Sequence, residues 1–194
     1  MKKKFLTAGA LAALLITGIV ACSDSSGNTA KVADAPAEEM LTRGEYLVNT
    51  IGCDDCHTPK NFGPNGPIPD MANRFAGHLA DRPTGPIDTA ALSKGWALFG
   101  PELTVAVGPW GVSYAANISS DSTGIGAWTL EQFTKALREG KYKGLDNSRP
   151  MHPPMPWYNF AKLKDDDIEA IFTYLKATKP VKNVVPAYKP LSAL

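Results

Sequence analysis

The stretch "CDDCH", Cys53–His57, decides how the rest of the chain is read. The chain has 194 residues and only three cysteines, and two of them stand here, with a histidine directly after the second. Several chemistries use a C-x-x-C pair. A thioredoxin-like redox site belongs at the start of a helix in a βαβ setting, whereas the segment before Cys53 reads as a helix. A structural zinc needs four ligands, commonly completed by a second Cys or His pair, and the sequence holds no such pair. Covalent attachment of a c-type haem joins two thiols to the two vinyl groups and holds the next residue under the iron as proximal ligand. That reading uses Cys53, Cys56 and His57 together. A plain disulfide is its remaining rival.

The front of the chain supplies the export that haem attachment needs in bacteria. "MKKK" is a basic start, and "FLTAGALAALLITGIVA" is an apolar run of seventeen residues. The two together read as a secretory signal, residues 1–21, outside the fold. The run ends in "IVAC", which resembles a bacterial lipobox, and in that family Cys22 receives lipid and becomes the mature N-terminus. By resemblance to enterobacterial sorting, Ser23 in the second place favours the outer membrane. Residues 22–39 are small and polar and do not carry the apolar surface that offsets ordering entropy. They are expected to be a flexible tether, spanning about 20–25 Å over the seventeen residues that follow Cys22. The formal charge of +1 turns slightly negative once three signal lysines are removed. No basic patch or acidic block points to nucleic acid.

Residues 40–194 are expected to form one domain. Met40, Gly44, Leu47, Val48 and Ile51 fall at helical spacing ahead of the motif, with Glu38 and Glu39 suited to the positive end of that helix. From Thr58 to Asn117 the chain is rich in Gly and Pro. "KNFGPNGPIPD" and "RPTGPID" read as turns, "DTAALSKGWALFG" holds room for a short helix, and two β-leaning arms around "GPWG" suggest a small hairpin. Thr129 and Gln132 form a capping-box pattern for a helix over about 130–139, with an apolar face from Leu130, Phe133, Ala136 and Leu137 and a stop at Gly140. Four prolines between Pro150 and Pro156 exclude a regular helix there. Ile168, Ile171, Phe172 and Leu175 mark the last helix. Asp165 to Asp167 stand at its positive end, Lys176 and Lys179 lie near the other, and Pro180 ends it.

A haem carrier normally has a second axial ligand, and a methionine thioether raises the potential. Met155 has the best setting, bracketed by prolines in "PPMPW" just before the last helix. Met151 and His152 are the next candidates, and Met151 has core filling as its ordinary role. Met71 and His78 sit in the loop region, where a solvent-facing or internally satisfied side chain is the default.

Three blocks carry a closer resemblance: "RGEYLVNTIGCDDCHTP", "NISSDSTGIGAWTLEQFTKALREG" and "PPMPWYNFAKLKDDDIEAIFTYLKATKPVKNVVP". They resemble the single-haem modules of the cytochrome c family found in cytochrome subunits of membrane-bound alcohol, aldehyde and nicotinate dehydrogenases. The resemblance implies a mainly α, class I cytochrome c fold, here with a long Gly/Pro-rich insertion and its hairpin. It implies that first and last helices cross beside the haem, with Gly44 near Phe172 or Tyr174, and that Met155 is the distal ligand. It also implies haem-pocket roles for Asn117, Ile118, Trp128 and Trp157. Arg138 is placed to pair with a propionate, or to serve as a plain surface arginine. A threonine is usual before the acidic run of the last helix; Lys164 stands there, so Asp165 is expected to cap instead. Those subunits often carry three modules, and this chain has one.

The expected function is that of a lipid-anchored, periplasmic monohaem cytochrome with one covalent haem c, passing single electrons between a donor and an acceptor protein. The alternatives are a dedicated electron-accepting subunit of a periplasmic dehydrogenase and, in another class, a haem-based sensor or peroxidase with an open distal site. Iron with two axial ligands leaves no site for substrate, so catalysis is not expected.

Overall fold

α1 (Ala35–Thr50) and α6 (Asp165–Ala177) pack against each other, and Gly44 lies where they meet. A methyl group at Gly44 would run into the Ala170 carbonyl oxygen and come within 2.7 Å of the Tyr174 Cβ. The crossing thus forms beside Tyr174, one of the two aromatics expected there. The computed structural model describes residues 35–194. The expected signal, Cys22 and the tether up to residue 34 lie outside the described residues. α1 begins ahead of Glu38 and takes in residues 35–39 of the expected tether.

The core follows the apolar spacing. Val48 of α1 meets Ile168, Ile171 and Leu175 of α6, with Phe133 and Leu137 of α4 (Leu130–Glu139) and the loop residues Phe75 and Ile125. Burying each such large side chain stabilises the fold by about 1.5–3 kcal/mol. Arg43 and Asp167 tie the two crossing helices at their polar margin, with Arg43 Nε donating to Asp167 Oδ1 at 2.8 Å.

Local signals set the α4 boundaries. The Gln132 amide donates to Thr129 Oγ1 at 3.2 Å, the Thr129 amide donates to Gln132 Oε1 at 3.0 Å, and Gly140 ends the helix at φ +63°. The start of α6 differs from expectation. Lys164 occupies the N-cap position without a side-chain cap, and Asp165 is the first helical residue. Asp165 therefore lies one place past the cap position, and its carboxylate accepts from Arg138 Nη2 at 2.6 Å.

The Gly/Pro-rich insertion is more ordered than its composition suggests. β1 (Lys60–Gly63) and β2 (Gly66–Pro69) pair antiparallel. Its composition reads only as turns, yet it pairs, and proline is tolerated because each strand has a single partner. α2 (Cys53–His57) precedes this hairpin, and α3 (Thr89–Ser93) follows it, where Asp88 caps by accepting from the Ala91 amide at 2.9 Å. A three-stranded sheet comes next, in the order β3 (Leu98–Phe99), β4 (Val105–Gly108), β5 (Gly111–Tyr114). The hairpin expected around "GPWG" is β4–β5, closed at Gly108 and Gly111. Val105, Val107 and Val112 form a second small core beneath Ile87, Leu92, Leu98 and Tyr114. α5 (Trp157–Phe160) is a single turn after the proline run. Among the described residues no helix is long and apolar enough to cross a membrane.

Candidate functional site

Gly52 separates the motif from α1. It sits at φ +78°, a left-handed conformation that side chains other than glycine adopt at a cost. The chain turns there and restarts as α2, whose single turn carries Cys53, Cys56 and His57. Both cysteines are half-buried, and no disulfide joins them. Before attachment of a haem, burial pushes the Cys53 thiol up to about 12 and raises Cys56 as well.

The two residues between the cysteines and those just after them fasten the turn. Arg74 Nε donates to Asp54 Oδ1 at 2.9 Å and its Nη2 to Oδ2 at 2.6 Å. The same guanidinium reaches Asn49 Oδ1 on α1 at 2.7 Å and the Tyr174 hydroxyl on α6 at 3.0 Å. Burial pushes the Asp54 carboxyl up, but the hydrogen bonds from Arg74 and Thr58 outweigh it and hold it below the usual carboxylate range. At the other end, Lys60 is 8% exposed, and its ammonium donates to the carbonyl oxygens of Asp54 at 2.9 Å, Asp55 at 3.1 Å and Thr58. A cation there satisfies the orphan carbonyls at the negative end of α2. Burial lowers its affinity for the proton, opposed by the Asp55 charge.

His57 is oriented by backbone. Its Nδ1 lies 2.8 Å from the Ala116 carbonyl oxygen. A carbonyl only accepts, so Nδ1 carries the proton and Nε2 keeps its lone pair. Burial holds the imidazole below its usual range, which favours that neutral form. Ala116 is in turn held against the Phe75–His78 segment: His78 N donates to the Ala115 carbonyl at 3.0 Å, and Ile118 N to that of Phe75 at 2.8 Å. Gly77 makes the approach feasible. It sits at φ +72°, its amide donates to the His57 carbonyl at 2.8 Å, and a methyl there would lie 2.5 Å from the Ala116 carbonyl carbon. Neither Ala116 nor Gly77 was singled out from the sequence. Their contribution is made by backbone atoms, which residue type does not reveal.

Ile118, Trp128 and Met155 are half-buried, and all three pack with Cys53 against the main core cluster. Trp157 covers Gly140, where a methyl would come within 2.5 Å of the indole Cδ2. Asn117 has a structural assignment. Its amide donates to the Val181 carbonyl at 2.8 Å and the Asn183 carbonyl at 3.2 Å, while its Oδ1 accepts from the Ser119 amide at 2.9 Å and hydroxyl at 2.7 Å. Arg138 has protein partners too, the Asp165 carboxylate and the Ala161 carbonyl. His78 is 3% exposed with both ring nitrogens partnered, and Met71 is exposed. His152 stacks on Tyr188.

These residues fit a haem. Two thiols and an imidazole with a directed lone pair share one short turn, beside half-buried apolar side chains that would line a flat cofactor. Among the described residues no group of three metal-ligating side chains suggests a zinc site.

The comparisons agree. The family model for cytochrome c matches residues 41–179, and the chain belongs to the cytochrome c family. It is 32% identical over 146 residues to the cytochrome c subunit of a quinone alcohol dehydrogenase from Gluconobacter oxydans, a match over 74% of this chain and 23% of that protein. It is 31% identical over 147 residues to a gluconate 2-dehydrogenase cytochrome c subunit from Pantoea cypripedii, over 75% of this chain and 25% of that one. Over 170 residues it is 29% identical to a fructose dehydrogenase cytochrome subunit from Gluconobacter japonicus, over 87% of this chain and 27% of that one. In each of these matches the chain spans about a quarter of its relative's length. The family carries iron in a covalently bound haem c, and Cys53 and Cys56 fit its CxxCH motif.

Proposed function

We propose that the chain is a lipid-anchored, single-haem electron carrier on the periplasmic side of a bacterial membrane, the outer membrane favoured. In this reading Cys53 and Cys56 would hold the haem, His57 and Met155 would ligate its iron, and Cys22 would carry the lipid. When bound, the haem supplies one-electron chemistry at its iron. The residues of the chain orient His57, supply a thioether from a proline-restricted loop, and keep water from most of the cofactor. The observation that carries the reading is the hydrogen bond from His57 Nδ1 to the Ala116 carbonyl at 2.8 Å, which leaves Nε2 as the ligating atom. Ile118 and Trp128 belong to the apolar wall in this proposal. Asn117 and Arg138 act one step removed, through the partners they hold in place.

The relatives favour a second, narrower reading in which the partner is a dehydrogenase and the chain is its cytochrome subunit. Co-purification with an oxidoreductase tests it. The absorbance spectrum of the oxidised protein tests the ligands. A methionine–iron charge-transfer band that disappears in Met155→Ala is expected. A five-coordinate spectrum with rapid carbon monoxide binding defeats the carrier reading and favours a sensor or peroxidase. Intact mass of the membrane-extracted protein reads haem and lipid together.

A further inference from the structure

The loop that carries Met155 is held from outside the helical core. Ser113 on β5 donates its hydroxyl to the Pro153 carbonyl oxygen at 2.6 Å. Trp110 Nε1, at the hairpin turn, donates to Ser113 Oγ at 3.1 Å, and the Pro153 carbonyl is a nearer acceptor for that hydroxyl than the Ala106 carbonyl at 3.3 Å. From the other side the Tyr188 ring stacks on His152, with centroids 4.0 Å apart and planes 15° from parallel. His152 Nε2 is buried without a hydrogen-bond partner, so this ring is held by stacking.

Tyr188 is itself fixed to the hairpin. Its hydroxyl donates to the Trp110 carbonyl at 2.6 Å, and Val112 and Lys189 exchange two backbone hydrogen bonds, at 2.8 and 3.1 Å. Gly111 permits this: it sits at φ +101°, and a methyl there would lie 2.9 Å from the Tyr188 ring. The β4–β5 hairpin, the C-terminal tail and the ligand loop therefore close on one another. None of these contacts involves the CxxCH turn.

We propose that the hairpin and tail form a latch on residues 150–156, in which Ser113 and Tyr188 are positioning residues for Met155. The latch sets how readily the loop swings away, and thus how strongly the sixth position resists an incoming ligand. This rests on Met155 as the distal ligand, proposed above. It gives the Gly/Pro-rich insertion a role in holding the ligand loop.

Imidazole titrated into the oxidised holoprotein tests the latch, because binding requires the loop to open. Ser113→Ala and Tyr188→Leu are each expected to bind imidazole about ten-fold more tightly than the parent, since each removes one loop contact. Both are expected to show a lower reduction potential. Trp96→Ala, an exposed site on the insertion, is expected to change neither. Parental imidazole affinity in both latch variants overturns the proposal. Met155→Ala separates the two levels: if it keeps the methionine–iron band, the ligand reading fails; if it loses the band while the latch variants behave as parent, the latch alone fails. Should Tyr188→Leu not fold, Tyr188→Phe and Ser113→Ala carry the test by hydrogen exchange. Faster exchange of the Met151, His152 and Met155 amides, with α1 and α6 unchanged, supports the latch. Parental exchange at those three amides overturns it.

Discussion

Arg74 grips Asp54 through two parallel N–H···O bonds, Nε to Oδ1 at 2.9 Å and Nη2 to Oδ2 at 2.6 Å, and so ties the haem-motif turn to the rest of the fold. Through Asn49 and the Tyr174 hydroxyl the same side chain reaches both crossing helices. Arg74→Leu leaves a partly buried carboxylate without its partner. The expected loss is about 2–4 kcal/mol in denaturant unfolding of the holoprotein. Arg74→Lys is expected to recover less than half of it, because an ammonium does not reproduce the planar fork. Full recovery by lysine would show that charge alone matters at this position.

Gly44 governs the helix crossing. With Ala170 backbone and Tyr174 Cβ where a methyl would go, Gly44→Ala forces α1 and α6 apart. It is expected to destabilise by about 2–3 kcal/mol despite alanine's better helix propensity. Thermal unfolding followed by circular dichroism measures it. A stabilised Gly44→Ala variant would mean that the crossing relaxes freely.

Lys60 places a buried positive charge at the end of the turn that carries His57. Reduction of an iron centre adds negative charge, which a nearby cation favours. Lys60→Met is therefore expected to lower the reduction potential by tens of millivolts, on the order of 1 kcal/mol for one electron. It also leaves the Asp54, Asp55 and Thr58 carbonyls without their shared donor, at a stability cost of about 1–3 kcal/mol. Potentiometric titration separates the two effects. An unchanged potential in a destabilised variant makes Lys60 a structural cap only.

What was legible in the sequence was local. Thr129, Gln132 and Gly140 mark both ends of α4 because a capping box and a left-handed stop act within a few residues. "GPWG" marks the β4–β5 turn for the same reason. Where a boundary shifts by one residue, the reading slips: α6 starts at Asp165, so the N-cap position falls on Lys164, which makes no side-chain cap. The β1–β2 hairpin was hidden by prolines that an edge strand tolerates. In the candidate site the residue types announced the thiols and the imidazole, while the Ala116 carbonyl and the Gly77 backbone gave no signal. Asn117 was singled out for the pocket, and its hydrogen bonds run to the C-terminal tail, a pairing across 64 residues that no local pattern encodes.

His78 couples the insertion to pH. It is 3% exposed, and it lies where the Thr104 hydroxyl donates to Nδ1 at 2.9 Å and Nε2–H donates to the Arg82 carbonyl at 3.2 Å. The Tyr114 ring stands 4.9 Å away, and the charged groups bearing on it are Arg82 and Glu102. Burial depresses its proton affinity, and the Arg82 guanidinium adds to this, while the Arg82 carbonyl and Glu102 oppose it. The neutral ring is therefore the native form. The unfolded chain takes up a proton near pH 6.5, before the native protein does, so stability is fully present above that pH and falls as pH drops toward the native value. Urea unfolding of the holoprotein at pH 7.5 and at pH 5.0 is expected to show the lower stability at pH 5.0. His78→Gln, which keeps a donor and an acceptor without the titration, is expected to start less stable and to lose less across the same interval. A parental slope in His78→Gln would place the acid sensitivity on another group.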